Sequence, residues 1–345
     1  MGILANKPIA DFQGNVRLKS WWAYKTAPLL GLLYLMVYVN RIPVTESIYL
    51  FIASIITIVG IAGLGYFLND LGDIAFDKKV GKPNRVAKLS NVQRVGLALI
   101  LLLFALLPWL YLKSNWLTWL LLAFQMLLYI IYSFHPFRFK EKGILGIICD
   151  TLYGLTVPAL IALLTFNKTP AQSHFAHFGS FLAVVFMALS IKGIRNILLH
   201  QLEDRRNDRR AGIRTFVSAG RPLRILMFLN RFILPLEGLV LIVLVAVVSI
   251  NVRHFYLVLL AFSCFYYLRF RAWSFYDLPY RQFWFMFIYF LNDFFEDWLP
   301  LAAVIYLVTL SPYFLILLVL HFVLFNSIIK KWLIDVKAIW LNLTT

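Results

Sequence analysis

The sequence predicts an all-α polytopic membrane protein. Three observations carry that prediction: apolar runs of spanning length, a shortage of charge, and cations gathered on alternate connections. A helix needs about 20 mostly apolar residues to cross about 30 Å of hydrocarbon. Ten runs approach or exceed that length: 27–43, 47–68, 95–113, 115–133, 143–165, 176–199, 223–250, 254–270, 282–308 and 312–330. The first and eighth are short and 223–250 requires tilt or a break, so nine to eleven spans are expected. Hydrophobic residues make up 61% of the chain and charged ones 14%, whereas soluble domains run near 25% charged. A transmembrane barrel would need alternating segments of about ten residues, and these are absent.

The net charge of +17 follows the membrane rather than a nucleic-acid surface. With both termini on one side, that side holds 26 of the 33 Lys and Arg, and the opposite connections hold only Arg41, Lys113, Lys168 and Arg253. The positive-inside rule then places both termini and the loops at about 69–94 and 200–222 in the cytoplasm, with an even number of spans. No apolar h-region precedes the first span, so no cleavable signal is expected. Cys149 and Cys264 stand alone in apolar runs and read as packing residues. With no soluble segment of useful size, residues 1–345 read as a single membrane domain.

Two charged stretches repeat. NDLGDIAFDKKVGK (69–82) aligns with HQLEDRRNDRRAGI (200–213) at an offset of 131, setting Asp73 on Asp204, Asp77 on Asp208 and Gly81 on Gly212. Each copy closes a predicted span, the second and the sixth, which describes two related halves offset by four helices. On a helix Asp70, Asp73 and Asp77 fall within an arc of about 60°. At about 5 Å and an effective dielectric near 20, each pair repels by roughly 3 kcal/mol, and the helix C-terminus adds negative potential. Such a position calls for a cation, and hard oxygen ligands that keep waters and accept substrate phosphates suit Mg²⁺. Gln201, Asp204 and Asp208 occupy the same arc in the second copy. Lys82, Arg85 and Lys88 stand ready to neutralise phosphate, with Arg209, Arg210 and Arg214 as looser candidates. The bland alternative is a pair of solvated loops with locally paired aspartates, which the duplication disfavours.

Asn69-Asp70-x-x-Asp73-x-x-x-Asp77 also resembles the first motif of the UbiA superfamily of intramembrane aromatic prenyltransferases. EDRRNDRRAGIRTF (203–216) is similar to the second motif, and YSFHPFRFKEKG (132–143) to the segment closing the fourth span. The resemblance covers roughly residues 15–310. It implies about nine helices around a central cavity, capped by the two motif loops, and Mg²⁺-dependent ionisation of an isoprenyl diphosphate. Carried over, Asn69, Asp70, Asp73, Asp77, Asp204 and Asp208 would bind metal and diphosphate, with Gln201 in the slot where the family usually has an acid. Arg85, Arg138 and Lys140 would contact diphosphate and Tyr132 would line the site. Lys192 and Arg195 would point to the same head group, or else snorkel to the interface. Val86 replaces the family's proline after Asn-Arg, and an apparent tenth span exceeds the usual nine.

FLNDFFEDWLP (290–300) is the third polar cluster. Asn292, Asp293, Glu296 and Asp297 lie near the centre of a predicted span, where each carboxylate costs about 2.5–3.5 kcal/mol to insert. Pro300 removes the amide that would bond the Glu296 carbonyl. Asp293 and Glu296 are candidates for orienting or deprotonating an acceptor, or for quenching a carbocation; a hydrogen-bonded packing knot is the alternative. Aromatic residues, 17% of the chain, include rings suited to stabilise an allylic cation. The expected reaction is transfer of an isoprenyl group to a membrane-associated acceptor: an aromatic, a quinone precursor, a tetrapyrrole or a lipid. A terpene cyclase would use the same ionisation residues. A transporter is the remote alternative, and nucleic acid is not an expected partner.

Overall fold

The computed structural model describes residues 7–112, 116–166, 175–272 and 280–344, and the regular secondary structure among them is helical. Lys113 and Lys168 lie outside the described residues. The helices are α1 (Lys7–Asn15), α2 (Leu18–Trp21), α3 (Ala27–Val39), α4 (Val44–Val80), α5 (Asn91–Tyr111), α6 (Trp116–Ser133), α7 (Ile144–Thr151), α8 (Val157–Phe166) and α9 (Phe178–Ala211). Then follow α10 (Phe216–Ala219), α11 (Pro222–Phe228), α12 (Leu234–Asn251), α13 (Tyr256–Ala272), α14 (Tyr280–Asp293), α15 (Leu299–Leu310), α16 (Leu315–Leu324) and α17 (Asn326–Thr344).

Among the described residues six helical segments are long and apolar enough to cross a membrane: Val44–Val80, Asn91–Tyr111, Trp116–Ser133, Ile144–Leu164, Phe178–Ala211 and Pro222–Asn251. A seventh would be Pro312–Leu324 with Asn326–Asn342, bent by 80°. The nine to eleven spans expected from the sequence are not reached among the described residues. The runs at 27–43 and 254–270 give helices of only 13 and 17 residues, and 312–330 crosses the bend between Leu324 and Asn326 rather than forming a straight span.

Four π turns interrupt the described helices, at Trp22–Thr26, Leu152–Thr156, Leu229–Ile233 and Phe294–Trp298. Each is followed by a proline six residues after its first residue: Pro28, Pro158, Pro235 and Pro300. Proline lacks an amide hydrogen and its ring clashes with the carbonyl four residues earlier. That carbonyl belongs to Tyr24, Gly154, Arg231 or Glu296, the central residue of each π turn. Widening the turn relieves the clash without ending the helix.

The chain divides into two compact units. The first comprises Met1–Trp22, Tyr49–Thr165 and Leu189–Ile233. One of its cores joins Val16, Leu64, Phe67, Val86 and Leu101; a second is built on Leu122, Leu128, Tyr129, Tyr132 and Cys149. Ile197, Leu198, Val217 and Leu229 form a third. Lipid tails are as apolar as leucine, so close packing and interhelical hydrogen bonds hold such cores together within a bilayer.

The second unit comprises Ala23–Ile48, Phe166–Ala188 and Leu234–Thr345. Here α3 packs along α15, and Gly31 lets the backbone at Pro300 approach. Phe262 is an aromatic hub, its ring centroid 4.6 Å from Phe290, 5.4 Å from Phe294 and 5.2 Å from Trp298. Beside it runs an ion network. Arg269 pairs with Asp293 at 2.7 Å and Asp335 at 3.1 Å, while Lys331 pairs with Asp293 at 2.6 Å and Asp297 at 2.8 Å. The carboxylates are largely enclosed and the cations partly exposed, so removing a cation strands acids that solvent reaches only in part. Lys331→Met is therefore expected to destabilise the protein by about 3 kcal/mol, read as a lower unfolding midpoint in detergent, with Lys331→Arg closer to wild type.

Candidate active site

The two acidic stretches end their helices in the same way, with matching backbone bonds and equivalent side-chain caps. α4 stops at Val80 and α9 at Ala211, each followed by a glycine in the left-handed region: Gly81 (φ 72°) and Gly212 (φ 80°). Beyond the glycine, the Lys82 amide donates to the Asp77 carbonyl at 2.9 Å and the Ile213 amide to the Asp208 carbonyl at 2.8 Å. Such bonds satisfy helix-terminal carbonyls that would otherwise lack partners. Two residues further on, Asn84 Nδ2 donates to Asp77 Oδ2 at 2.9 Å and Thr215 Oγ1 to Asp208 Oδ2 at 3.1 Å. Each of these side chains also accepts the amide three residues ahead, Ala87 or Ser218, at 3.1 Å. Val86 and Val217, both wholly buried, anchor the two caps. The repeat therefore extends beyond the aligned residues to Asn84 and Thr215, which aim the last carboxylate of each copy.

The two caps also meet. Lys79 Nζ donates to the Ala211 carbonyl at 3.1 Å, and Lys82 stands 3.7 Å from Asp204. Both copies thus lie together in the first unit.

Cations surround the remaining carboxylates. Arg17, at the α1–α2 corner, grips both oxygens of Asp70 at 2.6 and 2.9 Å. Arg138 Nη2 donates to Asp73 Oδ1 at 2.9 Å, and Lys140 pairs with the same oxygen. Arg138 is the hub. It also donates to the carbonyls of Gly72 (3.0 Å) and Ser133 (2.9 Å), pairs with Glu141, and lies 4.2 Å from the Phe76 ring centroid. Gly72 is required here, because a Cβ would stand 2.6 Å from the Ser133 oxygen. Burial draws the Lys140 ammonium below its ordinary pKa of 10.5, while Asp73 pulls the other way.

Tyr132 is buried one residue from the Ser133 carbonyl that Arg138 holds. Lys82 is exposed, and the exposed Arg85 lays its guanidinium over Gly14 of α1. Asn69 is half-buried beside Asp70. Lys192 and Arg195 are fully enclosed by protein, at 0% and 1% exposure, which is not the state of a snorkelling side chain. Gln201 Oε1 accepts the Val217 amide at 3.2 Å, so it braces the second cap. His200 is exposed, 3.6 Å from Asp204. Asp293 sits in the ion network of the second unit, and Glu296, half-buried, is central to its π turn.

From sequence, Arg17 and the pair Asp150–Tyr153 had no individual role, and Asn84 and Thr215 stood only within the motif stretches, without the capping part they play here. Arg17 is 53 residues from its partner and carries no local signal. Extending the repeat alignment by two more residues would have exposed Asn84 and Thr215. Asp150 did carry a signal, being a carboxylate inside the apolar run 143–165. Asn84→Ala and Thr215→Val are each expected to cost about 1 kcal/mol through the lost cap bond and to reduce turnover more than stability. Parallel denaturation and activity series would check this.

The model of the UbiA prenyltransferase family matches residues 28–294. The solved structure of a UbiA homologue from Archaeoglobus fulgidus bound to DMAPP and Mg²⁺ superposes with a TM-score of 0.51 at 13% identity, covering 85% of this chain and 98% of that one. A structure of a UbiA homologue from Archaeoglobus fulgidus bound to GPP and Mg²⁺ gives 0.52 at 14% identity, covering 85% of this chain and 99% of that one. No curated protein matches the chain. The chain is thus a polytopic membrane enzyme, a prenyltransferase. It belongs to the UbiA prenyltransferase family.

Proposed function

We propose that the enzyme transfers an isoprenyl group from an isoprenyl diphosphate to a membrane-associated acceptor, with release of diphosphate and dependence on Mg²⁺. The observation that carries this reading is the pairing of two identically capped acidic helix ends with Arg138, Lys140 and Lys82. Such an arrangement suits a polyanionic head group together with its counter-cations.

The donor set fits Mg²⁺. Asp70, Asp73, Asp77, Asp204 and Asp208 offer hard carboxylate oxygens, and Asp70, Asp73 and Asp204 already lie against protein cations. Among the described residues no three His, Cys, Asp or Glu side chains form a closed cage. Mg²⁺ needs only one or two carboxylates, because water and substrate phosphates complete its shell. When bound, it supplies Lewis-acid neutralisation of diphosphate charge. Arg138 and Lys140 would release Asp73 and turn toward phosphate oxygens, with Lys82 and Arg85 closing from the loop. Asn84 and Thr215 would keep Asp77 and Asp208 oriented while charge builds on the leaving group, where preorganised electrostatics contributes most. The apolar walls would keep water from the allylic cation, and Tyr132 would present a ring to it. Both termini and the two loops are read as cytoplasmic.

In the second unit, the double pairing of Asp293 favours an organising part over proton transfer. Glu296 remains the candidate for handling the acceptor or the cation. Glu296→Gln is expected to leave diphosphate release largely intact and to change product identity; unchanged products and rates would assign it to packing.

The test uses purified protein with Mg²⁺ and radiolabelled farnesyl or geranylgeranyl diphosphate, with and without a lipid extract of the host. Product formed only with extract supports transfer, and the labelled adduct identifies the acceptor. A hydrocarbon or terpene alcohol formed without extract means cyclisation instead. Absence of Mg²⁺-dependent diphosphate release under every condition would overturn both.

A further inference from the structure

Beneath the acidic and basic cluster, the first unit holds a second polar group that the proposed ionisation step does not use. Tyr153 Oη donates to Asp150 Oδ1 at 2.5 Å. Both residues are half-buried, and both belong to the apolar segment Ile144–Leu164. A carboxylate within an apolar segment of spanning length is expensive to insert and marks a functional position by default.

Three features hold the pair in place. Tyr153 lies in the π turn Leu152–Thr156, where the wide backbone displaces side chains from regular helical positions. Gln125 Nε2 donates to the Tyr153 carbonyl at 2.8 Å. The Tyr153 ring stands edge-on to both Tyr129 and Tyr132, with centroids 5.0 Å away in each case. Tyr132 precedes Ser133, whose carbonyl binds the Arg138 that holds Asp73. Through the Tyr132 ring and the adjoining Ser133 carbonyl, the pair is thus linked to the cluster proposed above to bind diphosphate. On the other side, α7 meets α9 so closely that a Cβ on Gly193 would stand 2.8 Å from Thr151 Cγ2.

We propose that Asp150 and Tyr153 form the proton-accepting pair of the reaction, serving an acceptor that loses a proton as it is prenylated. This rests on the function proposed above. The balance closes without a further reagent. The bond from isoprenyl C1 to the diphosphate oxygen breaks and its electron pair leaves with diphosphate. A carbon or oxygen of the acceptor bonds to C1 and releases its proton to Tyr153 Oη, as the Tyr153 proton passes to Asp150 Oδ1. A hydroxyl or an electron-rich aromatic C–H is the chemistry such a pair serves. The rings of Tyr129 and Tyr132 flank the transfer with their π faces and edges.

The experiment compares wild type, Tyr153→Phe, Asp150→Asn and Asp150→Glu as purified full-length proteins, using the Mg²⁺-supplemented assay with host lipid extract. General-base removal lowers rates by about 10²–10⁴-fold. Tyr153→Phe and Asp150→Asn should lower kcat for the adduct by about 10²-fold or more and change the KM for the isoprenyl diphosphate little. They should shift the labelled product toward isoprenyl alcohol and flatten the acidic limb of the pH–rate profile. Asp150→Glu should recover part of the rate and that limb. Tyr153→Phe keeps the ring packing, so it carries the test where Asp150→Asn fails to fold. A Tyr153→Phe enzyme with wild-type kcat, partition and pH profile overturns the proposal. So does a variant losing only diphosphate affinity. A wild-type enzyme that releases no diphosphate fails at the earlier reading, which separates the two outcomes.

Discussion

Asp73→Asn is expected to reduce Mg²⁺-dependent diphosphate release by at least about 10³-fold while the protein remains folded and membrane-inserted. Two effects act together. The substitution removes the negative charge on which Arg138 and Lys140 converge, and in the proposed mechanism it removes a hard oxygen from the metal site. Stabilisation of charge on a leaving group is the largest single term in many enzymes, about 3–4 kcal/mol for one preorganised donor, and loss of a metal ligand adds to it. The fold should persist because Arg138 keeps Glu141 and the carbonyls of Gly72 and Ser133. Diphosphate release against Mg²⁺ concentration, with the unfolding midpoint as control, checks both statements. Near-full activity would remove Asp73 from the metal site.

Arg138→Met is expected to be more damaging, with loss of activity and about 3–5 kcal/mol of stability. Arg138 is 3% exposed, and the backbone carbonyls it serves, together with Asp73 and Glu141, which are only partly exposed, would be left short of donors. Asp73 would keep only Lys140, Glu141 would lose its partner, and the Gly72 and Ser133 carbonyls would each lose a donor. Those carbonyls belong to α4 and to the end of α6, so the same change loosens the crossing on which Tyr132 and Asp73 are set. Arg138→Lys should rescue stability in part and activity poorly, because an ammonium cannot reproduce the planar fork that reaches several acceptors at once. Detergent unfolding curves beside kcat for the three proteins would decide it. A stable, active Arg138→Met enzyme would leave this residue a bystander.

The motif residues were legible because their chemistry is duplicated. Asp73 with Asp204, Asp77 with Asp208 and Gly81 with Gly212 recur at one offset, and the resemblance they supported agrees with the family match over residues 28–294. The second-copy substitutions were less legible. Asn84 and Thr215 do the same work with different atoms, so residue identity hides their equivalence while geometry reveals it. Gln201 read as a weak counterpart of an acid, yet its oxygen accepts a backbone amide. The π turns were half-legible, since proline announces a missing amide but leaves open whether the helix kinks, ends or widens.

Composition and periodicity by themselves determined that this chain is helical and membrane-embedded, because no other arrangement satisfies the backbone of such apolar runs in lipid. They also determined that two acidic helix ends are copies of each other. Only the tertiary structure decided which cation meets which carboxylate: Arg17 with Asp70, Arg138 and Lys140 with Asp73, Lys331 with Asp293 and Asp297. It also brought Tyr153 beside Tyr132, and turned the last apolar run into a bent pair. The reason is physical. Burial and span length are properties of a local stretch, whereas an ion pair or a ring contact depends on distances between segments far apart in the chain, and those distances are set only when helices pack.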